Sequence, residues 1–520
     1  MERSAVRDIS RGSLYLGLEQ ITQVLFGTLY SMAILRLLGP PLYGILALGL
    51  AVAGLAGIAT LNLETYLERF VAEIHGSGRS RILASLVGKI FAVKGVLALI
   101  ASFAVVFLAG TLADLYKKPG LAAVLPAVAW MVLLEASFLT FRSALFGLQR
   151  FRTIWILALV NNVIKMVMVG LVALLGAGIV GLAWGLIGVV GITTILAGGI
   201  LIRVLRSETA GSEGDAAPGF PQIWTYVLPL LGARSFFLAG QHLNKVILGA
   251  FLGARELGLI SFALVTAERF VGFAHALPLS FLPSMSRLKG LGDHAGIERI
   301  LAAGFRVTSA LALVLTTGLL TLGREIIVIL GGFEYLPVLP AFQILALVYL
   351  FRTLSQPLTM TFYTFERTKV VFWLALLKLV VELGLYPVLI PVMGITGVAV
   401  AVIASALAGL LPSLAVVNGI FPSTAASRQS VVLRVWLVGG LLIGCATAAQ
   451  SFVPLVWPSL IVRLNVLLLG LPAGIILSRL IRSEDFARLR DEIKAPVPQK
   501  LLGGMEAVLQ RAEGVLGGPG

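Results

Sequence analysis

Charged side chains that interrupt long apolar stretches are the residues of this sequence with the clearest capacity for chemistry. A charge at the centre of a bilayer costs about 2.5–3.5 kcal/mol on insertion scales, so such residues usually pair or line an internal cavity. We predict that cations from four of the apolar stretches form a cationic cavity that binds an anionic substrate. These candidate substrate-binding residues are Lys89, Arg234, Lys245, Arg306 and Arg352.

Two observations support this prediction, and one alternative stays open. Arg234 and Lys245 are spaced i, i+11, with Gln241 at i+7, which places the three on one helix face. Lys89 and Arg306 are 217 positions apart, the spacing of an internal repeat described below. Long cationic side chains near a helix end can instead extend to the lipid headgroups, and this alternative applies to Lys89, to Lys94 on the same stretch, and to Arg306.

Intramembrane carboxylates form a second candidate set, with two interpretations. One is that acids and neighbouring bases only neutralise buried charge, as an i, i+4 pair such as Lys378 and Glu382 would. The other is that a buried carboxylate carries a coupling proton or holds sodium. The candidate ion-coupling residues are Glu19, Glu135, Lys165, Lys378 and Glu382. We expect no catalytic residue, no metal site and no cofactor beyond a coupling proton or sodium ion.

Composition places these charges in a membrane protein. Apolar residues make up 58% of the 520 and charged residues 12%, whereas a soluble protein carries about 25% charged residues. Cys445 is the only cysteine, which excludes an intramolecular disulfide and a cysteine-built metal site. The net charge of +15 is typical of basic cytoplasmic loops, and we expect no nucleic-acid partner. We therefore predict an all-α polytopic fold.

A spanning helix needs about 20 apolar residues, and this rule predicts about fourteen spans. Two six-span bundles, residues 1–205 and 223–418, are joined by a polar cytoplasmic linker at 206–222. Two additional spans occupy residues 419–482, and a cytoplasmic tail covers 483–520. The predicted spans are 12–38, 42–63, 81–109, 120–146, 151–175, 178–205, 223–251, 256–282, 298–322, 336–363, 369–391, 394–418, 431–452 and 459–482.

Basic residues predict the orientation. Loops assigned to the cytoplasm are rich in arginine, and Arg142 is counted among them. The opposite loops hold little beyond Lys117, Lys118, Arg255 and Arg324. The asymmetry predicts a cytoplasmic (inner) membrane protein with both termini inside. The loops are short, so no soluble catalytic domain is inserted, and the charged segment from Glu64 to Glu73 is expected to be a solvated amphipathic segment at the cytoplasmic edge.

The two bundles are predicted to be parallel repeats. A helix break at Leu38-Gly39-Pro40-Pro41, expected on the outer face, returns as Leu252-Gly253. Arg150 and Arg367 share the 217-residue offset of Lys89 and Arg306. The same offset places Glu135 on Arg352, Asn161 on Lys378 and Lys165 on Glu382.

Three motifs resemble the polysaccharide transporter family of oligosaccharide flippases. They are the first turn, Leu35-Arg36-Leu37-Leu38-Gly39-Pro40-Pro41-Leu42-Tyr43-Gly44, then Glu68-Arg69-Phe70-Val71-Ala72-Glu73, and Leu148-Gln149-Arg150-Phe151. Leu35 replaces the family's common alanine and Pro41 its common acid, and neither change alters the turn. The motifs are structural and do not identify the cargo.

The resemblance implies a member of the superfamily that includes the multidrug and toxin extrusion transporters and the lipid II flippases. It implies two bundles around a central cavity, alternating access, and a polyprenyl-diphosphate-linked oligosaccharide as substrate, with membrane lipids and other polysaccharide-assembly proteins as partners. An ion-coupled multidrug exporter is one alternative, although its cavity should be acidic and aromatic. A membrane glycan polymerase or glycosyltransferase is the other, although it normally needs a larger external loop.

Overall fold

The computed structural model describes residues 2–60, 63–76, 80–209, 240, 242–279 and 281–424, together with isolated positions after 428. Within these residues the chain is helical and has no β-strand. Residues 242–251 form a helical stretch between the sixth and seventh labelled helices. The labelled helices are α1 (Glu2–Ile58), α2 (Glu64–Gly76), α3 (Ser80–Leu115), α4 (Gly120–Gly147), α5 (Phe151–Leu175), α6 (Gly178–Thr209), α7 (Ala254–Leu279), α8 (Phe281–Gly290), α9 (His294–Thr321), α10 (Gly323–Leu330), α11 (Leu339–Thr364), α12 (Thr368–Met393) and α13 (Ile395–Ile420).

Helix α1 is broken at Gly39, as the sequence predicts. Gly39 has φ 66° and ψ 174°, so two helical segments meet there. A residue without a side chain adopts this conformation at little cost, and Pro40 and Pro41 suit the first turn of the second segment. The apolar stretch Leu14–Ile58 is 45 residues long, about twice what one crossing needs.

The chain is a multi-pass membrane protein. Nine helical stretches within the described residues are long and apolar enough to cross a membrane. Large apolar side chains such as Phe107, Leu174 and Val392 are more than 80% exposed, which suits contact with lipid. The predicted total of fourteen stays a prediction, because the spans at 431–452 and 459–482 and most of 223–251 lie outside the described residues.

Contacts divide the chain into two compact units. The first comprises Met1–Ser261 with Leu330–Glu334, and the second comprises Phe262–Ile329 with Tyr335–Gly520. In the first unit, α4 packs against α1, α2, α3 and α6. In the second, α11 packs against α8, α9 and α13. The predicted boundaries at 205, 222 and 418 stay predictions.

The helices repeat with the offset that the sequence indicates. Helix α4 ends 217 residues before α11 ends, and α5 begins 217 residues before α12. The intervening turns have the same backbone: Gln149 has φ 57° and Glu366 has φ 55°. Arg150 and Arg367, which precede α5 and α12, both have φ −82°. Equivalent positions in the two halves can therefore be compared residue by residue.

Two glycines allow a close helix crossing within the first unit. A Cβ atom at Gly44 would lie 2.0 Å from the carbonyl oxygen of Ala254, and one at Gly258 would lie 1.8 Å from that of Pro40. Real Cβ atoms do not approach backbone oxygen so closely, and any larger residue would force the two helices apart. The Gly39 break and the Gly253 turn thus lead into helices that meet at glycine.

Candidate functional site

A polar cavity of about 140 Å³ lies in the first unit. Helices α1, α4, α5 and α6 surround it. Within this group, α4 and α5 each pack against both α1 and α6. Three of the five candidate ion-coupling residues line it. The polar lining consists of Glu19, Gln23, Glu135, Arg142, Asn161, Lys165 and Thr193.

A salt bridge joins α1 and α4 at this cavity. The Arg142 guanidinium donates to Glu19 Oε1 over 2.8 Å, and the Glu19 side chain is 12% exposed. Sequence counting assigned Arg142 to a cytoplasmic loop, which is wrong, because the residue lies in α4 and its side chain lines the cavity. A hydrogen bond of 3.2 Å from Trp155 Nε1 to Thr22 Oγ1 also joins α5 to α1.

Opposite charges from α4 and α5 also meet at the cavity. Glu135 is exposed and lies close enough to Lys165 for the two charges to interact. The Lys165 ammonium lies 5.8 Å from the ring centre of Tyr30, a cation–π distance. Asn161 donates from Nδ2 to Thr193 Oγ1 over 3.1 Å. The cavity therefore combines two acids, two bases and neutral hydrogen-bonding groups.

The second unit places a different polar cluster at the repeat-equivalent helices. Glu382 on α12 is 8% exposed, and its Oε1 accepts a hydrogen bond of 2.8 Å from the hydroxyl of Tyr386. Arg352 on α11 and Glu382 both act electrostatically on Lys378. The Lys378 stem packs on Gly409 of α13, where a Cβ would lie 2.6 Å from its Cδ. Lys378 and Glu382, which the sequence predicts as neighbours, thus belong to a larger cluster that also contains Arg352 and Tyr386.

Of the predicted substrate-binding cations that the structure describes, none is among the residues that line the polar cavity. Lys89 on α3 and Arg306 on α9 are both partly buried, at equivalent positions of the two halves. Lys245 is partly buried in the helical stretch 242–251. Arg234 lies outside the described residues. A shared cationic cavity formed by these residues stays a prediction.

Glu64 and Lys94 form a buried ion pair that the sequence analysis missed. Glu64 begins α2 and Lys94 lies on α3; they are 7% and 1% exposed, and their side chains are in direct contact. The expected solvation of Glu64 is therefore wrong, while Arg69 and Glu73 on the same helix are exposed as expected. The partners are 30 positions apart and have no local spacing signal, because only the packing of α2 and α3 brings them together.

Lys118 is a second residue whose role only the structure reveals. It lies between α3 and α4, is 6% exposed, and donates to the carbonyl oxygens of Gly249 and Leu252 over 2.7 and 2.8 Å. A cation beside the last carbonyls of a helix also complements its dipole. Burial lowers the pKa of Lys118, and the nearby Glu256 opposes this effect. Lys118 therefore fastens the α3–α4 connection to the end of the 242–251 stretch.

Comparisons with known proteins agree with this architecture. The sequence profile of the family described as "Polysaccharide biosynthesis protein" matches residues 9–289, more than half of the chain. The structure of a lipid II flippase MurJ in an inward closed conformation has 14% identity and a TM-score of 0.66, covering 90% of this chain and 100% of that one. No curated protein matches the sequence.

A second solved structure shows the same fold. An inward-facing multidrug resistance MATE family transporter of the MOP superfamily has 12% identity and a TM-score of 0.62, covering 79% of this chain and 99% of that one. At such identities, both likenesses concern the fold alone.

Proposed function

Because this chain belongs to the polysaccharide biosynthesis protein family, we propose that it flips a polyprenyl-diphosphate-linked oligosaccharide across the cytoplasmic membrane by alternating access. Its family and fold are those of membrane transporters and flippases. The cytoplasmic orientation of both termini and the role of membrane lipids and polysaccharide-assembly proteins as partners belong to the same proposal.

The proposal rests on one observation: helices that are apolar and long enough to span a membrane carry polar side chains that line a cavity. The cavity of the first unit offers hydrogen-bonding side chains from four helices of membrane-spanning length, where polar groups are costly unless they serve a site. A lipid-linked glycan has a polar head that needs such a path, while its apolar tail can stay in lipid. A cationic drug would need a cavity with excess acid, and the polar lining here contains as many bases as acids.

Arg352 and Lys378 are proposed to bind the diphosphate. A diphosphate carries several negative charges, and two cations whose charges interact lie in the second unit. Lys89, Arg234, Lys245 and Arg306 complete the proposed cationic set.

Flipping by the purified, reconstituted protein tests this function. The probe is undecaprenyl diphosphate carrying one N-acetylglucosamine in proteoliposomes, and outer-leaflet exposure of the sugar is measured with a membrane-impermeant modifying enzyme. We expect wild-type protein to expose the sugar and Arg352→Gln to slow exposure at least tenfold. Lys369→Gln, which changes an exposed cation at the start of α12, is the matched control. Export of ethidium without lipid flipping would instead favour the multidrug-exporter alternative.

Glu382 is the proposed coupling residue, because it is buried, bonded by Tyr386 and beside Lys378. A carboxylate in such surroundings can alternate during transport between pairing with its basic neighbour and binding a proton or sodium ion. Glu382→Gln should flatten the dependence of flipping on the pH or sodium gradient. Glu73→Gln, an exposed carboxylate on α2, should leave that dependence intact. If Glu382→Gln also leaves it intact, the carboxylate has only a structural role.

A further inference from the structure

We infer that the polar cavity of the first unit, lined by Gln23, Glu135, Arg142, Asn161 and Lys165, is a subsite for one sugar ring of the lipid-linked glycan. The inference rests on the proposed flippase function and assigns the sugar and the diphosphate to different halves of the chain. Four features of the cavity support it: its charge balance, its hydrogen-bonding groups, its size, and its difference from the equivalent region of the second unit.

The charges that line the cavity balance one another. Arg142 is paired with Glu19 at 2.8 Å, and Glu135 interacts with Lys165. A diphosphate would meet two carboxylates there, and a cationic drug would meet two bases. A neutral polar ligand avoids both repulsions and gains from the polarity of the wall.

The hydrogen-bonding groups suit hydroxyls, which both donate and accept. Arg142 carries five N–H donors in a planar fork and uses a fork nitrogen to bind Glu19. Asn161 spends an Nδ2–H on Thr193, and its amide oxygen is a further acceptor. Gln23 supplies another amide, and Glu135 adds a carboxylate. These planar donors and acceptors can form hydrogen bonds with neighbouring hydroxyls of a sugar ring.

Size and shape favour a single ring. Drug-sized ligands fill pockets of about 300–1,000 Å³, and this cavity is about 140 Å³. Phe138, Leu157 and Ala158 form an apolar part of the wall, which matches the C–H face of a pyranose. The salt bridge and the Asn161–Thr193 hydrogen bond hold side chains from four helices in place before a ligand enters, which lowers the entropy cost of binding.

The equivalent region of the second unit lacks this set. At the 217-residue offset, Lys378 stands in place of Asn161, Thr359 in place of Arg142, and Leu410 in place of Thr193. The exchange removes the Asn161 amide and the Thr193 hydroxyl, adds the Thr359 hydroxyl, and moves a cation from the α4 position to the α12 position. The first unit is therefore better suited to hydroxyls, while the second brings two cations, Arg352 and Lys378, close enough for their charges to interact.

Binding of a matched lipid series tests this assignment. The probes are undecaprenyl diphosphate and the same lipid carrying glucose, galactose, N-acetylglucosamine or N-acetylgalactosamine. Binding to the purified full-length protein is measured by native mass spectrometry. We expect wild-type protein to prefer at least one sugar-bearing lipid over the bare one. Asn161→Leu and Gln23→Leu should each reduce that preference on the order of tenfold, the loss expected when a hydrogen bond to a polar ligand is removed.

Lys378→Leu is the matched control, because it changes the equivalent position of the second half. It should weaken bare and sugar-bearing lipids alike and leave the preference unchanged. Asn161→Gln should restore part of the preference, and a thermal melt establishes that each variant is folded.

Four outcomes would overturn the assignment. Wild-type protein without any preference, or an unchanged preference in both Asn161→Leu and Gln23→Leu, would exclude a sugar subsite here. An unchanged preference together with an altered pH dependence of flipping would assign the cavity to ion coupling. If wild-type protein binds none of the five lipids, the proposed function itself fails, and the subsite fails with it.

Discussion

The two halves of this chain have equivalent helices but carry opposite charges at two pairs of equivalent positions. Glu135 on α4 corresponds to Arg352 on α11, and Lys165 on α5 corresponds to Glu382 on α12. The helix frame follows from apolar stretches and turns, which both halves retain. The sign of a charge within that frame is less constrained, because each unit needs only local neutralisation. Duplicated frames can therefore carry different arrangements of charge.

A second difference concerns how the halves fill their interiors. The first half buries the Glu64–Lys94 pair between α2 and α3. At the same offset the second half has Phe281, which is fully buried, and Leu311. Well-packed apolar residues are often as stable as a buried ion pair or more so, whereas a single remaining charge is strongly destabilising. This difference can be tested by replacing residues of the first half with the equivalent residues of the second.

The largest effect is expected for Lys94→Leu, which copies only one residue of the second half. The Glu64 carboxylate would stay buried without its partner, and the cost should be about 3–5 kcal/mol. The double variant Lys94→Leu/Glu64→Phe should recover most of this loss. Thermal unfolding of purified protein in detergent measures both.

Lys89→Leu serves as the control for this pair, because Lys89 lies on the same helix and is only partly buried. Its loss of stability should be much smaller. Equal destabilisation by Lys94→Leu and the double variant would show that the second half's apolar solution does not fit the first.

A smaller loss is expected at the crossing of the equivalent glycines. Gly44→Ala and Gly258→Ala each place a Cβ within about 2 Å of a backbone oxygen of the other helix, and overpacking of this kind costs about 1–3 kcal/mol. The two variants should lower the unfolding temperature by similar amounts, since the contact is reciprocal. Gly88→Ala, where nothing lies within 4 Å of the new Cβ, should be neutral or stabilising. A harmless Gly258→Ala would contradict the close crossing.

The smallest effect is expected for Glu366→Gln, which introduces the residue type found at the equivalent position of the first half, Gln149. A hydrogen bond from Lys289, 2.8 Å long, lowers the pKa of the Glu366 carboxyl. A carboxyl with a lowered folded-state pKa stabilises the protein above its unfolded-state pKa, and this contribution is lost as pH falls through the folded-state pKa. The pair is exposed, so the effect should be slight and weakened by salt.

Unfolding temperatures of wild-type protein and Glu366→Gln, measured from neutral to acidic pH at low salt, test this prediction. The variant should lack the wild-type component that falls with pH, and the two curves should converge at acidic pH. If acidification lowers the unfolding temperature of Glu366→Gln by as much as it lowers that of the wild type, the prediction is wrong.

Much of the frame could be predicted from local signals. Apolar length predicted the membrane-spanning class, and glycine followed by proline predicted the break at Gly39. The 217-residue offset predicted the match between the turns at Gln149 and Glu366. The family resemblance carried by the first turn is confirmed by the profile match over residues 9–289. These features depend on a residue and its near neighbours, and a sequence displays such information directly.

Pairing across helices could not be predicted in the same way. The sequence identified Glu19, Glu135 and Lys165 as costly intramembrane charges, but it gave Arg142 to a loop and Glu64 to solvent. Partners such as Arg142 and Glu19 are 123 residues apart, so no periodicity relates them. Their contact depends on how helices rotate and pack, which is decided by the sum of many small side-chain contacts. Local chemistry thus determined which residues need partners, and only the tertiary structure decided which partners they have.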